Sequence, residues 1–360
     1  MARWSLECKT VVCERAGGCI LPSPGMPKWK SWLRAEVRRQ NRKWKFELRT
    51  KPNAYAECDP STVGFAFAAT SLPAAPPKVP IILDTDIGGD IDDAFALALI
   101  INSPELELLG VTTVAGDTQA RARLAAKLLW EAGGDWRKVP VYASEPGKPE
   151  IDQTRWANGF TSPALHLSGA VDLMKTEINR RPGRITLITI GELSNVAALL
   201  KSDPSMAKKI KLIAMMGGSV ALGYAPDSKP EPEANIVSNP EAAQTVFSSG
   251  VPLLVAPLDV TSMLKLDAAA RRRVFTHLTP VTNALTILYY LWGSETPTLF
   301  DPMAVAMLID SSMCETQQLA IAVDAQGFTR VVEGKPANAT VGMHTDPKRF
   351  FQFYLSRVAP

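Results

Sequence analysis

An α/β fold, a single domain with a largely parallel open sheet flanked by helices, is predicted for residues 78–360 by two observations. Short apolar runs alternate with segments of helical period, which is the pattern of βαβ units. Polar clusters follow the apolar runs, and in an open α/β sheet ligands bind at the carboxyl ends of the strands. Taken in order, 79–83 reads as a short buried strand, 94–101 as a helix, 106–114 as a second strand and 119–132 as an amphipathic helix. The runs 185–190, 210–215 and 251–256 repeat the strand pattern, with helices over 195–201 and 240–248 between them.

The chain has 360 residues, 46% of them hydrophobic, enough for a large buried core. Its formal charge of +3 conceals an asymmetry: residues 1–51 carry thirteen Lys or Arg against four acidic residues, so the remainder is net negative. Cys8, Cys13, Cys19 and Cys58 also fall in the first 58 residues, leaving Cys314 alone in the domain, which therefore needs no disulfide. Residues 1–77 show no sustained period apart from a basic helix near 30–45, and they end in Leu72-Pro-Ala-Ala-Pro-Pro77. This composition reads as a basic, poorly ordered extension and Pro/Ala linker. The cysteine spacings do not match zinc pairs, and the basic stretch 28–51 is read as solvated rather than as a nucleic-acid surface.

No run reaches the roughly 18 apolar residues of a membrane span. The stretch 63–75 has the length and small-residue ending of an export signal, but it begins about sixty residues in and lacks an adjacent basic flank. A cytoplasmic location is expected, with export as the alternative.

The segment Pro80-Ile-Ile-Leu-Asp84-Thr-Asp86-Ile-Gly-Gly-Asp90-Ile-Asp92-Asp93 places five carboxylates in ten residues between a strand and a helix. Like charges this close raise one another's pKa, so the cluster calls for a cation. An N-cap with a solvated acidic loop is the plainer alternative. An EF-hand is excluded, because the twelfth position from Asp84 is Phe95 and a strand precedes the loop. A phosphatase with Asp84 as nucleophile explains neither Asp92-Asp93 nor the later motifs.

The block from Asp84 to Ala94 resembles the aspartate fingerprint of the nucleoside hydrolases, with a slightly longer loop. Thr112-Thr-Val-Ala-Gly-Asp117, Ile188-Thr-Ile190-Gly-Glu-Leu-Ser-Asn195, Met216-Gly-Gly218, Glu233-Ala-Asn235 with Asn239-Pro-Glu-Ala-Ala243, and Asp301-Pro-Met-Ala-Val-Ala306 resemble later blocks of that family, in order. The resemblance covers roughly 79–356 and implies the nucleoside hydrolase fold with its Rossmann-like core. It also implies hydrolysis of the N-glycosidic bond of ribonucleosides, in the manner of the inosine-uridine preferring enzymes of purine and pyrimidine nucleoside metabolism.

Such a reaction passes through an oxocarbenium-like sugar and needs a positioned water, a base and negative surroundings. A Ca2+ ion suits a set of carboxylate and carbonyl oxygens. The resemblance implies Asp86, Asp93, Asp301 and the carbonyl of Ile190 as metal ligands, with Asp86 also the general base. It implies Asp92, Asp117, Asp227, Glu233 and Asn235 as holders of ribose hydroxyls. Locally, Asp301 also reads as a helix N-cap and Glu233-Ala-Asn235 as a turn in a Pro-rich loop.

Three departures matter. Phe300 stands where many family members have a His that assists departure of the base, and Asp117 and Asp227 stand where Asn is frequent. His166, His277 and His344 lie outside the matched blocks and are read as structural. Trp156, Phe160, Tyr224 and Trp292 are aromatic candidates for a nucleobase pocket, or ordinary core and lid residues. Two other functions remain open at this point: a riboside-binding relative without turnover, and a metal-dependent phosphatase. The resemblance further implies a homodimer or homotetramer acting on a small ribonucleoside, requiring neither nucleic acid nor membrane. No GxGxxG, P-loop or nucleophile elbow is present.

Overall fold

The computed structural model describes residues 77–148 and 153–360. The basic extension, the helix expected near 30–45, Cys8, Cys13, Cys19, Cys58 and the apolar stretch 63–75 lie outside the described residues. The strands are β1 Val79–Thr85, β2 Leu106–Thr113, β3 Val141–Ala143, β4 Leu165–His166, β5 Thr186–Thr189, β6 Leu212–Met216, β7 Leu253–Ala256, β8 Cys314–Leu319, β9 Ile321–Val323, β10 Thr329–Val331 and β11 Ala339–Thr345. Nine of them form one sheet in the order β4-β3-β2-β1-β5-β6-β7-β11-β8, and β9 and β10 form a separate antiparallel pair. Every neighbouring pair in the large sheet is parallel except β11 with β8.

The chain runs outward from β1 through β2, β3 and β4, then returns to place β5 on the other side of β1. That reversal opens a crevice at the carboxyl ends of β1 and β5, the position where α/β sheets bind ligands. Five of the seven residues of β1 are buried, from Ile81 to Thr85, as expected for a central parallel strand covered on both faces.

Two helices frame the crevice. Asp92–Ile101 starts two residues earlier than the apolar pattern predicts, so Asp92 and Asp93 sit inside its first turn, where the helix dipole favours negative charge. Its residues from Asp92 to Ile100 are all buried, a helix enclosed on every side. Phe300–Ile309 is buried from Asp301 to Met307 and packs beside the first helix. Residues carried on such enclosed helices are held in place by the core itself. Among the described residues no helix is long and apolar enough to cross a membrane.

Candidate active site

Three carboxylates meet at the crevice. Asp92, Asp93 and Asp301 each offer an oxygen within 4.8 Å of the other two, and each side chain is only 3% exposed. None caps its helix: the N-cap positions are Ile91 and Leu299, neither with a side-chain capping bond. The N-cap reading of Asp301 and the solvated-loop reading of Asp92-Asp93 therefore do not describe these residues. Asp92 accepts the backbone N–H of Asp301 at 3.1 Å, and Asp93 accepts the hydroxyl of Thr85. Burial, then repulsion from neighbouring carboxylates, pushes all three well above the ordinary aspartate range.

Asp86 lies beside the trio at the end of β1. Its Oδ1 is so close to Gly191 that a Cβ there would sit 2.9 Å away, so the glycine after Ile190 is what lets the chain leaving β5 pass this near Asp86. Burial raises the Asp86 pKa and the Arg121 guanidinium opposes the rise. Arg121 is buried, with Nε on the carbonyl of Ala115 at 2.8 Å and Nη1 on that of Ile87 at 3.2 Å. Nothing in the sequence marks this residue, which sits in the amphipathic helix Thr118–Ala132. Its charge lowers the pKa of Asp86 and of Asp93, but in both burial outweighs it, so the carboxylates are crowded without enough positive charge to balance them.

Asp84 has a different task. It is 1% exposed and its Oδ1 accepts from Thr112 at 2.7 Å and Asn195 at 2.8 Å, tying β1 to β2 and to the helix Ser194–Ser202. Burial pushes its carboxyl up to about 7. An enclosed, twice-bonded carboxyl offers no approach to a phosphoryl group, so the phosphatase reading gains no support. The longer glycine loop is held by Gln153, another residue without a sequence signal, whose Nε2 donates to the carbonyls of Gly89 and Asp90, both at 2.9 Å. Asp90 itself is exposed, with its side chain bonded to Ile91 N–H at 2.6 Å and to Trp292.

The residues expected on the sugar differ in how far they are already engaged. Glu233 is the N-cap of the short helix Ala234–Val237. Its Oε1 accepts from Asn235 N–H at 2.9 Å, and its Oε2 from Gly218 at 2.9 Å and Ile236 at 3.2 Å. Burial outweighs these three bonds and lifts it to about 7. The Asn235 amide donates to the carbonyls of Ile190 at 3.3 Å and Met216 at 3.2 Å, joining the ends of β5 and β6 and leaving its own carbonyl oxygen as an acceptor. Asp117 caps the helix Thr118–Ala132 through Ala120 N–H at 2.9 Å. Asp227 is exposed with φ +59°, a left-handed conformation that Asn and Asp tolerate best, which accounts for either residue standing there.

Of the four aromatic candidates, Trp156 and Phe160 pack on the helix Thr118–Ala132, against Lys127 and Trp130 respectively. Trp292 reaches Asp90, and Tyr224 meets Phe300 edge to face at 6.1 Å. His166 stacks on Tyr142, His277 follows the helix Ala268–Thr276, and His344 is exposed on β11.

The profile of the family described as inosine-uridine preferring nucleoside hydrolase matches residues 81–352. The pyrimidine-specific ribonucleoside hydrolase RihA of Salmonella arizonae is 32% identical over 310 residues, covering 78% of this chain and 98% of the relative. RihA of Shewanella sp. (strain ANA-3) is also 32% identical, over 78% of this chain and 96% of its own. Among solved structures, the plant nucleoside hydrolase PpNRh1 superposes with a TM-score of 0.68 at 24% identity, covering 79% of this chain and 99% of that one. A purine-preferring ribonucleoside hydrolase from Gardnerella vaginalis gives 0.65 at 25% identity, covering 78% and 98%. With the fold, the crevice and the motif order all in agreement, the chain belongs to the nucleoside hydrolase family and is an enzyme of that family.

Proposed function

We propose that this enzyme hydrolyses the N-glycosidic bond of ribonucleosides to free base and ribose, using a water activated by Asp86 beside a bound Ca2+. The observation that carries the reading is the buried trio Asp92, Asp93 and Asp301, with Asp86 next to it and the Arg121 charge too little to offset theirs. A hard divalent cation fits this set, since every donor is an oxygen and the carboxylates repel one another without it. Asp86, Asp93, Asp301 and the Ile190 carbonyl would hold the ion, and Asp92, the third member of the trio, lies within reach of the same place. Calcium bound there supplies Lewis acidity and an anchor for a water and the ribose diol.

The remaining steps belong to the chain's own residues. Asp86 takes the proton of the attacking water as oxygen bonds to C1′ and the electrons of the C1′–N bond leave with the base. The neighbouring carboxylates stabilise the positive charge that develops on the sugar. Asp92, Asp117, Asp227, Glu233 and Asn235 hold the ribose hydroxyls, Glu233 and Asp117 with the lone pairs their capping bonds leave free. Phe300 has no proton to give, so the base leaves without a histidine acid at that position.

The RihA relatives are named pyrimidine-specific, and uridine and cytidine therefore head the substrate panel, followed by inosine and adenosine. Reducing-sugar release is measured with and without a chelator, in wild type and Asp86→Ala. Chelator-sensitive release that is lost in the variant is expected. No release from any ribonucleoside, with Ca2+ still bound, would overturn the reading.

A further inference from the structure

Tyr224 is built into the site more firmly than a surface aromatic needs to be. It is 37% exposed, and its ring meets Phe300, the residue before Asp301, edge to face at an interplanar angle of 79°. Its Oη accepts the backbone N–H of Ala234 at 2.8 Å, between Glu233 and Asn235. Its own N–H donates to Glu231 Oε1 at 2.7 Å, and Glu231 N–H donates in turn to Ser219 Oγ at 3.0 Å. The preceding turn is fixed by Asp259, which accepts the N–H groups of Val220, Ala221 and Leu222 at 2.9, 2.7 and 3.2 Å. At Gly223 a Cβ would lie 2.1 Å from Glu231 Oε1, so the glycine is what lets this loop fold back on itself.

A phenol oxygen both accepts and donates. With Ala234 N–H on one lone pair and the ring set by Phe300, the O–H of Tyr224 has a defined direction and, among the described residues, donates to no protein acceptor. We propose that Tyr224 is a substrate-binding residue whose hydroxyl donates a preset hydrogen bond to a ribose oxygen, completing the set formed by Glu233 and Asn235. This rests on the ribonucleoside hydrolase reading and extends it. Burial and the nearby carboxylates of Glu233, Glu231 and Asp92 push the phenol pKa upward, which keeps the proton in place. A donor already oriented needs no reorganisation when the sugar binds. The T-shaped packing uses the ring for support, which assigns the contact to the hydroxyl and not to stacking on a base.

The test compares wild type with Tyr224→Phe, which keeps the ring on Phe300; water replaces the lost acceptor at Ala234, which is exposed. Hydrolysis of uridine and inosine is measured beside that of 4-nitrophenyl riboside, whose leaving group needs no protonation. A fall in kcat/KM of about tenfold, equal for all three, is expected from the loss of one hydrogen bond to the sugar. Calorimetric affinity for D-ribose in calcium chloride should fall by a similar factor, with calcium affinity and Tm unchanged. A loss confined to the nucleosides would overturn the proposal in favour of a contact to the base, and no loss would overturn it outright. If wild type cleaves none of the three, the parent reading fails, and D-ribose binding by the two proteins still decides the role of Tyr224.

Discussion

Buried carboxylates stand on both sides of the crevice, and they are buried for opposite reasons. In the loop half of the site, Glu233 accepts three backbone amides and Asp259 three more, so each negative charge is met by the chain itself. In the aspartate half, Asp92, Asp93 and Asp301 share few donors and face one another. Residue type and exposure are nearly the same in the two halves, and what differs is the count of N–H groups. Carboxylates met by backbone N–H groups are positioned by the chain, with only their remaining lone pairs open to a ligand, whereas carboxylates left to repel one another suit a cation.

The largest effect that sharpens this contrast is chemical. Asp86→Ala removes the proposed base and should lower kcat by about 10²–10⁴, read by ribose release at saturating uridine. A variant within a few-fold of wild type would move the base to another residue and reduce Asp86 to a charge in the field.

The next effect is on stability, and its sign separates the halves. Adding Ca2+ to metal-free protein should raise stability by about 3 kcal/mol at a hundred times the dissociation constant. Asp93→Asn removes one of the repelling charges, so the metal-free variant should be more stable than metal-free wild type by about 0.5–2 kcal/mol while losing activity. Thermal unfolding with and without chelator checks both. If metal-free Asp93→Asn is less stable than wild type, the trio is not held against its own repulsion and the contrast breaks.

Glu233→Gln should do the reverse. A side-chain amide in place of one oxygen faces a backbone N–H, which costs about 1–3 kcal/mol. The variant also changes the pH dependence. Glu233 titrates near 4.5 when unfolded and at about 7 in the fold. Between those values the folded chain keeps a proton that the unfolded chain has released, so its contribution to stability falls as pH rises through the window. The difference between wild type and variant should therefore slope across pH 4.5–7, by at most about 3 kcal/mol, and flatten on either side. A flat difference would mean that Glu233 stays ionised and that its amide partners outweigh its burial.

Much of this arrangement can be read from the order of residues, for a physical reason. Central strands such as β1 and β5 are buried over most of their length around an apolar middle, and the aspartates come from one contiguous segment plus Asp301, so pattern and motif suffice. The edge strands escape the same reading: in β8 the four residues Glu315, Thr316, Gln317 and Gln318 are exposed, leaving no apolar run to notice. Arg121, Gln153 and Asp259 were missed because their importance lies in contacts across long sequence separations, to Ile87, Gly89 and Val220. Roles divided by hydrogen bonding escape it too: Asp117 and Glu233 cap helices and Asp301 does not, although Asp-Pro ahead of an apolar helix also reads locally as a cap.

Asp259 gives the smallest and most selective test of the loop half. It touches no residue proposed for the metal, and its oxygens fix the turn that leads to Tyr224. Asp259→Asn keeps the shape but sets an amide N–H against one of the backbone donors, at a cost of about 1 kcal/mol in stability. Loosening that turn should weaken the grip on the sugar before it affects bond breaking, so KM for uridine should rise a few-fold (~3-fold) with kcat nearly unchanged. Calcium affinity should not move, because the aspartate half has its own supports in the two enclosed helices. A fall in calcium affinity would show that the halves are mechanically joined and that the loop carries part of the strain of the charged trio.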